Sequence, residues 1–228
     1  MENGILLRKF DLWSALTDEE YKELHVLDNF KEFREGEFVY FEAFNHNQIY
    51  FIKNGYIRTG FLDANGNRVV KDILKPGDFF GQISLERDNL NGEFAQTIKS
   101  SVSLCSFTVE NFIALLNKKP QLAIKYSKLT GLRMKRFENR LINILQKDAK
   151  TRLVLFLEQL LKESKNRKQV SETEARIPNY LTHDEIGQLI GTSRQTVTTL
   201  LNELREAGIL ICSRKELCFL GPKKNFNN

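Results

Sequence analysis

The sequence predicts an α+β chain: an N-terminal β-roll of jelly-roll type, a long helix, and a C-terminal helix-turn-helix with a β-wing. Three observations carry this. Short β-branched or aromatic runs separated by turn residues fill the stretch from Phe38 to Phe107. An apolar repeat at spacings of 3, 4 and 5 residues runs from Leu122 to Ile144. Two short capped amphipathic segments joined at Gly191 are followed by two short strands. The parts are drawn at 1–117, 118–147 and 148–228.

In chain order, Thr17-Asp18-Glu19-Glu20 has the form of a capping box and should open a short helix presenting Tyr21, Leu24 and Leu27. Strands are predicted at Phe38–Phe41, Gln48–Lys53, Tyr56–Leu62, Arg68–Leu74 and Thr97–Phe107. Turns separate them at Gly36, Asn54-Gly55, Asp63–Asn67 and Lys75-Pro76-Gly77-Asp78. Asn65-Gly66 is the strongest of these, because both residues tolerate positive φ in a hairpin turn. Many short strands at close spacing argue for a barrel or jelly roll.

Strand patterns stop near Val109, and Pro120 suits the first turn of a helix reaching about Gln146. Leu122, Tyr126, Leu129, Leu132, Phe137, Leu141 and Ile144 form a stripe along it. At a rise of about 1.5 Å per residue such a helix outreaches a small roll, so the stripe is read as a coiled-coil-like homodimer seam that also packs partly on the roll. Gly131 weakens the helix and would allow a close approach of another helix or of the roll. Asp148 is placed to cap a helix over Thr151–Glu163. Residues 164–174 are charged and polar and read as an exposed loop.

Thr182 and Glu185 make a second capping box, followed by the apolar face Ile186, Leu189 and Ile190. After Gly191-Thr192-Ser193, a second helix buries Val197, Leu200, Leu201 and Leu204. Its other edge, Ser193, Arg194, Gln195, Thr198 and Thr199, is polar in a way a core does not need and base edges and phosphates do. Ile209–Cys212 and Leu217–Leu220 flank Ser213-Arg214-Lys215-Glu216 as a wing, whose Arg214 and Lys215 suit phosphates.

Composition agrees. Residues 1–117 carry 12 basic and 18 acidic side chains, residues 118–149 carry 9 and 2, and residues 150–228 carry 13 and 9. An acidic front and basic rear fit a rear that meets a polyanion. The chain of 228 residues has no apolar run of membrane-spanning length. The stretch Gly4-Ile5-Leu6-Leu7 is too short for a signal peptide, so a cytoplasmic protein is expected. Cys105, Cys212 and Cys218 fit neither a disulfide framework nor a zinc site. His25, His46 and His183 fall in different elements, with no nucleophile motif and no glycine-rich phosphate loop, so no catalysis and no metal are expected. Two other readings stand beside it: a roll that binds a ligand or partner and regulates another protein without reading DNA, and a constitutive DNA binder without a small effector.

The segment Thr182-x-x-Glu185-Ile186-Gly187 through Gly191-x-Ser193-Arg194-x-Thr196-Val197 resembles the Crp/Fnr family of transcription regulators. Tyr50-Phe51-Ile52-x-Asn54-Gly55 and Leu74-x-Pro76-Gly77-Asp78-Phe79-Phe80-Gly81 resemble the family's cyclic-nucleotide-binding-type roll. The resemblance spans nearly the whole chain and implies a homodimer on double-stranded DNA, with RNA polymerase as a candidate partner. In catabolite-activator-like members the arginine matching Arg194 reads a guanine, and the residues matching Ser193 and Thr196 hold phosphates. Base contacts are expected from Arg194, Gln195, Thr198 and Thr199, and phosphate contacts from Thr182, His183, Ser193, Thr196, Arg214 and Lys215. Catabolite-activator-like members carry glutamate where Gln195 stands and often arginine where Thr199 stands, which implies a different target.

The effector site departs further from the family. Members that bind cyclic AMP use Gly-Glu and, later, Arg-Ser. Here Gly81-Gln82-Ile83-Ser84 lacks the glutamate, and Phe94-Ala95 aligns with the Arg-Ser pair. Phe137 and Glu138 replace the helix threonine and serine that face adenine. Phe94 cannot neutralise a phosphate, so neither cyclic AMP nor cyclic GMP is expected, and no cofactor is. Phe94 and Phe137 would make either an apolar pocket or a filled core. An iron–sulfur variant lacks an N-terminal cysteine cluster, and a haem variant rests only on His25 and His46.

Overall fold

The computed structural model describes residues 10–17, 19, 30–41, 47–85, 92–164 and 166–220. The helix expected from Thr17 to Leu27, and the histidines His25 and His46, lie outside the described residues, apart from Thr17 and Glu19. The chain divides into two compact units, residues 1–135 and 136–228.

Among the described residues the first unit has six antiparallel strands: β1 (Phe30–Phe33), β2 (Phe38–Phe41), β3 (Gln48–Leu62), β4 (Arg68–Leu74), β5 (Phe79–Gly81) and β6 (Glu93–Thr108). Their order is β1-β6-β3-β4, with β2 on β6 and β5 on β3. Successive side chains on a strand point to opposite faces, and here the two faces feed two cores. Ile49 and Phe51 join Trp13, Phe79, Phe107 and Phe112. Tyr50 and Ile52 join Tyr40, Phe80, Ala95 and Leu104. Because both faces of β3 are buried, its apolar run is continuous rather than alternating.

The turn predicted at Asn54-Gly55 is absent; β3 runs straight through it. Gly55 sits at φ +83°, and a Cβ there would stand 2.7 Å from Val102 Cγ2. The glycine therefore serves a bulge, with the β3–β6 register shifting on either side of Asn54. The Asn65-Gly66 turn does join β3 to β4. The Asp63 carboxylate accepts the Asn65 and Asn67 amides at 2.9 and 2.8 Å. Those bonds, Asn67's foremost, hold the Asp63 carboxyl below its usual range.

α1 (Val109–Lys118), which the sequence pattern did not separate, follows β6 directly and is capped by Thr108, whose hydroxyl accepts the Asn111 amide at 3.2 Å. α2 (Pro120–Gln146) has the expected length. Its stripe, however, divides. Leu122 and Tyr126 are buried in the first unit's core, which leaves them no surface for a second chain, while half-buried Leu129 packs against that core. The Tyr126 hydroxyl donates to Ile83 O at 2.7 Å. Leu132, Phe137, Leu141 and Ile144 are exposed, as are Met134, Ile142 and Leu145. Among the described residues, nothing outside α2's own backbone lies within 4 Å of a Cβ built at Gly131. The boundary between the two units falls within the segment 118–147.

The second unit continues from Arg136 with the end of α2, then α3 (Ala149–Glu163), β7 (Lys168–Gln169), β8 (Glu174–Pro178), α4 (His183–Ile190), α5 (Arg194–Glu206), β9 (Leu210–Cys212) and β10 (Glu216–Leu220). Asp148 caps α3 by accepting the Thr151 amide at 2.9 Å and its hydroxyl at 2.8 Å. The strands order as β7-β8-β10-β9. The stretch read as a loop thus contains β7, a two-residue strand that local propensity cannot reveal. Cys212 pairs with Leu217 and Cys218 with Ile211, which puts the two thiols on opposite faces. All three cysteines are free, and burial pushes the Cys105 thiol well above its usual range. Among the described residues no helix is long and apolar enough to cross a membrane.

Candidate nucleic-acid interface

The two helices of the reading motif are set by their caps. Thr182 Oγ1 accepts the Glu185 amide at 3.2 Å and donates to Glu185 Oε2 at 2.9 Å. The same carboxylate oxygen accepts the Thr182 amide at 2.8 Å, which completes the predicted capping box. α4 ends at Gly191 in the left-handed region, φ +70°, where glycine bears no Cβ penalty. Ser193 then caps α5 by accepting the Thr196 amide at 3.0 Å. Val197, Leu200, Leu201 and Leu204 are buried as predicted.

The opposite edge of α5 is exposed: Arg194, Gln195, Thr199 and Asn202. Asn202 escaped the sequence reading. It stands seven residues, two helical turns, after Gln195, so the 3.6-residue period could have found it. Thr198 is half-buried and its hydroxyl is engaged. It donates to Arg194 O at 3.0 Å and meets His183 Nδ1 at 2.8 Å. His183 and Thr198 are therefore brought together as a bridge between α4 and α5. Ser193 and Thr196 bond to each other at 2.8 Å through their hydroxyls.

The wing loop is a tight turn. Ser213 Oγ accepts the Lys215 and Glu216 amides at 3.2 and 3.0 Å, leaving Arg214 and Lys215 outward and exposed. Buried Asn179 anchors it, donating from Nδ2 to Ser213 O at 2.7 Å and from its amide to Lys215 O at 2.9 Å. A lone asparagine before a cap gives no sequence signal for that role.

In the first unit, Gly81 sits at φ +85° with Gln48 O so near that no side chain would fit. Gln82 is buried, and its amide donates to Gln48 O at 2.9 Å; Ile83 is half-buried and Ser84 exposed. Phe94 is only 1% exposed. Its ring lies under Gly60, where a Cβ would come within 2.7 Å of Phe94 Cζ, and edge-to-face with Phe38 at 6.2 Å. Ala95 packs beside Tyr40, Tyr50 and Phe80, whose rings stack. Burial pushes the Tyr40 hydroxyl far above its usual range and that of Tyr50 up to about 12. Arg133, another residue the sequence reading passed over, donates to Phe79 O at 2.6 Å and to Asp72 Oδ2 at 3.2 Å. Phe137 and Glu138 belong to the second unit, and both are exposed. Among the described residues no group of three or more His, Cys, Asp or Glu could hold a metal ion.

Residues 151–224 match the model of the Crp-like helix-turn-helix domain, and residues 30–119 that of the cyclic nucleotide-binding domain. The global nitrogen regulator of Synechococcus elongatus is 24% identical over 84% of this chain and 86% of its own. The CRP-like cAMP-activated global transcriptional regulator of Mycobacterium tuberculosis is 26% identical over 82% of this chain and 80% of its own. Solved structures share the fold. The c-di-GMP responsive regulator CLP of Xanthomonas campestris gives a TM-score of 0.72 at 16% identity, covering 90% of this chain and 100% of that one. A CooA variant from Carboxydothermus hydrogenoformans gives 0.71 at 24% identity, covering 89% and 88%. With both domains matched in order along the chain and relatives spanning four fifths of it, the chain is a DNA-binding transcription regulator of the Crp/Fnr family.

Proposed function

We propose that this regulator reads DNA as a homodimer and is not controlled by cyclic AMP or cyclic GMP. The observation that carries the second part is Phe94. An anionic cyclic phosphate buried in a protein needs a charge-assisted partner. At the position aligned with the family's arginine, the roll has a phenyl ring packed to 1% exposure. Gln82 likewise offers a neutral amide where the ribose-binding carboxylate is required. The residues present do not fit the nucleotide. A cAMP-activated relative and a c-di-GMP responsive neighbour share this scaffold, so the scaffold alone does not fix an effector. The buried Phe94 ring favours a reader that is competent without a small ligand. Isothermal titration of the purified protein with each cyclic nucleotide tests this: no heat of binding is expected, and saturable micromolar binding would overturn it.

Base reading is assigned to Arg194, Gln195 and Thr199, with phosphates met by Thr182, His183, Ser193, Thr196, Arg214 and Lys215. Support comes from their positions on the exposed edge of α5, at its capped start and in the wing. Thr198 serves this edge through its bond to His183. Arg194→Ala should lose about 1–3 kcal/mol at one base pair per half-site. Selection of bound duplexes checks this, and undiminished selectivity would refute it. The exposed apolar residues at the end of α2 support a second copy as the dimer partner. RNA polymerase is the candidate downstream partner.

A further inference from the structure

An α-helix ends on carbonyls that lack intrahelical partners and carry partial negative charge. In α4 those carbonyls immediately precede the turn into the base-reading helix. Two arginines from outside the motif hold them. Arg152, on α3, donates from Nε to Ile190 O at 2.7 Å and from Nη2 to Gly191 O at 3.0 Å. Its third nitrogen, Nη1, reaches Lys147 O at 2.6 Å, just beyond the end of α2. Arg140, on α2, donates from Nη2 to Gln188 O at 3.2 Å. Ile144 braces the same place: a Cβ built on Gly191 would stand 3.4 Å from its Cδ1 and Cγ1. Only Thr192 separates Gly191 from Ser193, the cap of α5.

We propose that Arg152, seconded by Arg140, is a positioning residue for sequence reading. The planar guanidinium fork suits this task, since its three donors are fixed relative to one another and span three carbonyls. Arg152 ties the Gly191–Ser193 turn to α3 and to the end of α2, and thereby sets where Arg194 begins. Base discrimination needs side chains held to within about 0.5 Å. Attraction to phosphates depends on charge and is far more tolerant of position. Loss of the clamp should therefore erode discrimination while sparing binding to arbitrary sequence. The inference rests on α5 being the base-reading helix.

The test uses the full chain, a duplex recovered from a random pool by the wild-type protein, and a scrambled duplex of equal length. Affinities are measured over a salt series for wild type, Arg152→Gln, Arg152→Lys and Arg140→Gln. Circular dichroism and the melting temperature are recorded alongside. Arg152→Gln should lower the selected-to-scrambled ratio about tenfold or more. Its salt slope on the scrambled duplex should match wild type. Arg152→Lys keeps the charge but not the fork, so it should recover only part of the ratio. Arg140→Gln removes a single bond and should lower the ratio by about threefold, which serves if Arg152→Gln fails to fold. Equal loss on both duplexes with a slope shallower by about one would make Arg152 a phosphate contact and overturn the proposal. An unchanged ratio in a folded Arg152→Gln would overturn it too. If Arg194→Ala keeps full selectivity, the base-reading assignment itself fails, and the proposal with it.

Discussion

Gly187 lies mid-way along α4, where helix propensity would favour alanine by about 1 kcal/mol. The structure explains the glycine. A Cβ there would stand 2.7 Å from Thr192 O, 3.2 Å from Ser193 C and 3.3 Å from Arg194 N. All three are backbone atoms of the turn into α5, so none can swing aside as a side-chain tip would. In Gly187→Ala the turn must retreat on the order of 0.5–1 Å to restore ordinary contact. Overpacking of this kind costs about 1–3 kcal/mol, against which alanine returns about 1 kcal/mol of propensity. Net destabilisation should then be about 0–2 kcal/mol, a drop of several degrees or less in melting temperature. The effect on reading should be larger, because the atoms displaced are those that place Arg194. A shift beyond about 0.5 Å removes a base contact worth about 1–3 kcal/mol per half-site. Competition between selected and scrambled duplexes, with calorimetry on the same preparation, separates the two effects. A variant that melts higher than wild type and reads DNA with equal selectivity would refute the steric argument.

Leu141 and Leu145 are 57% and 74% exposed; replacing both with aspartate should shift the protein to monomer in sedimentation velocity at micromolar concentration, and an unaltered dimer would place the seam elsewhere. Phe94→Ala should lose about 3–5 kcal/mol in urea unfolding, since the ring is enclosed; a loss below about 1 kcal/mol would mean the surrounding roll had room to collapse. Burial pushes the hydroxyls of Tyr50 and Tyr126 up to about 12. Their folded values exceed the unfolded value of about 10, so the neutral forms favour the folded state fully below about pH 10, and this is lost as pH rises through about 12. Absorbance at alkaline pH should show these two ionising later in the folded protein than in the urea-unfolded chain, and equal midpoints in the two states would contradict their burial.

Where a signal is local, the sequence carried it. The capping box at Thr182 and the Asn65-Gly66 turn depend on residues within a few positions of one another, and the structure forms both. Asn54-Gly55 uses the same residue types, yet its glycine is demanded by Val102 across the sheet, so only the pairing of β3 with β6 reveals a bulge. β1 and β5 are too short to show a period, and their partners are distant in sequence. The stripe on α2 is a different failure. Leu122 and Leu141 obey one spacing, but periodicity reports only that a face is apolar, not what covers it. Leu122 is covered by the roll's own core, and Leu141 is not. Arg140 and Arg152 had no signal at all. Arginines in a basic stretch look alike until the carbonyls they reach are known.

Hydrogen counting at Thr198 sharpens the division of labour on α5. Its hydroxyl has one hydrogen, and the Arg194 carbonyl can only accept. The bonds to Arg194 O and to His183 Nδ1 coexist only if Nδ1 carries the proton. Thr198, with its hydroxyl spent on this bridge, has no donor left for a base. In the proposed reading, donors to bases come from Arg194 and Gln195 on the first turn of α5 and from Thr199 on the second, and exposed Asn202 on the third extends the same edge. Of these, arginine suits the paired acceptors of guanine, while glutamine and asparagine suit adenine's donor and acceptor. Under that proposal the edge has a single cation among three neutral side chains, which would put the choice of sequence on hydrogen-bond geometry. Discrimination would then depend more on how firmly the turn before Arg194 is held than on the chain's net positive charge.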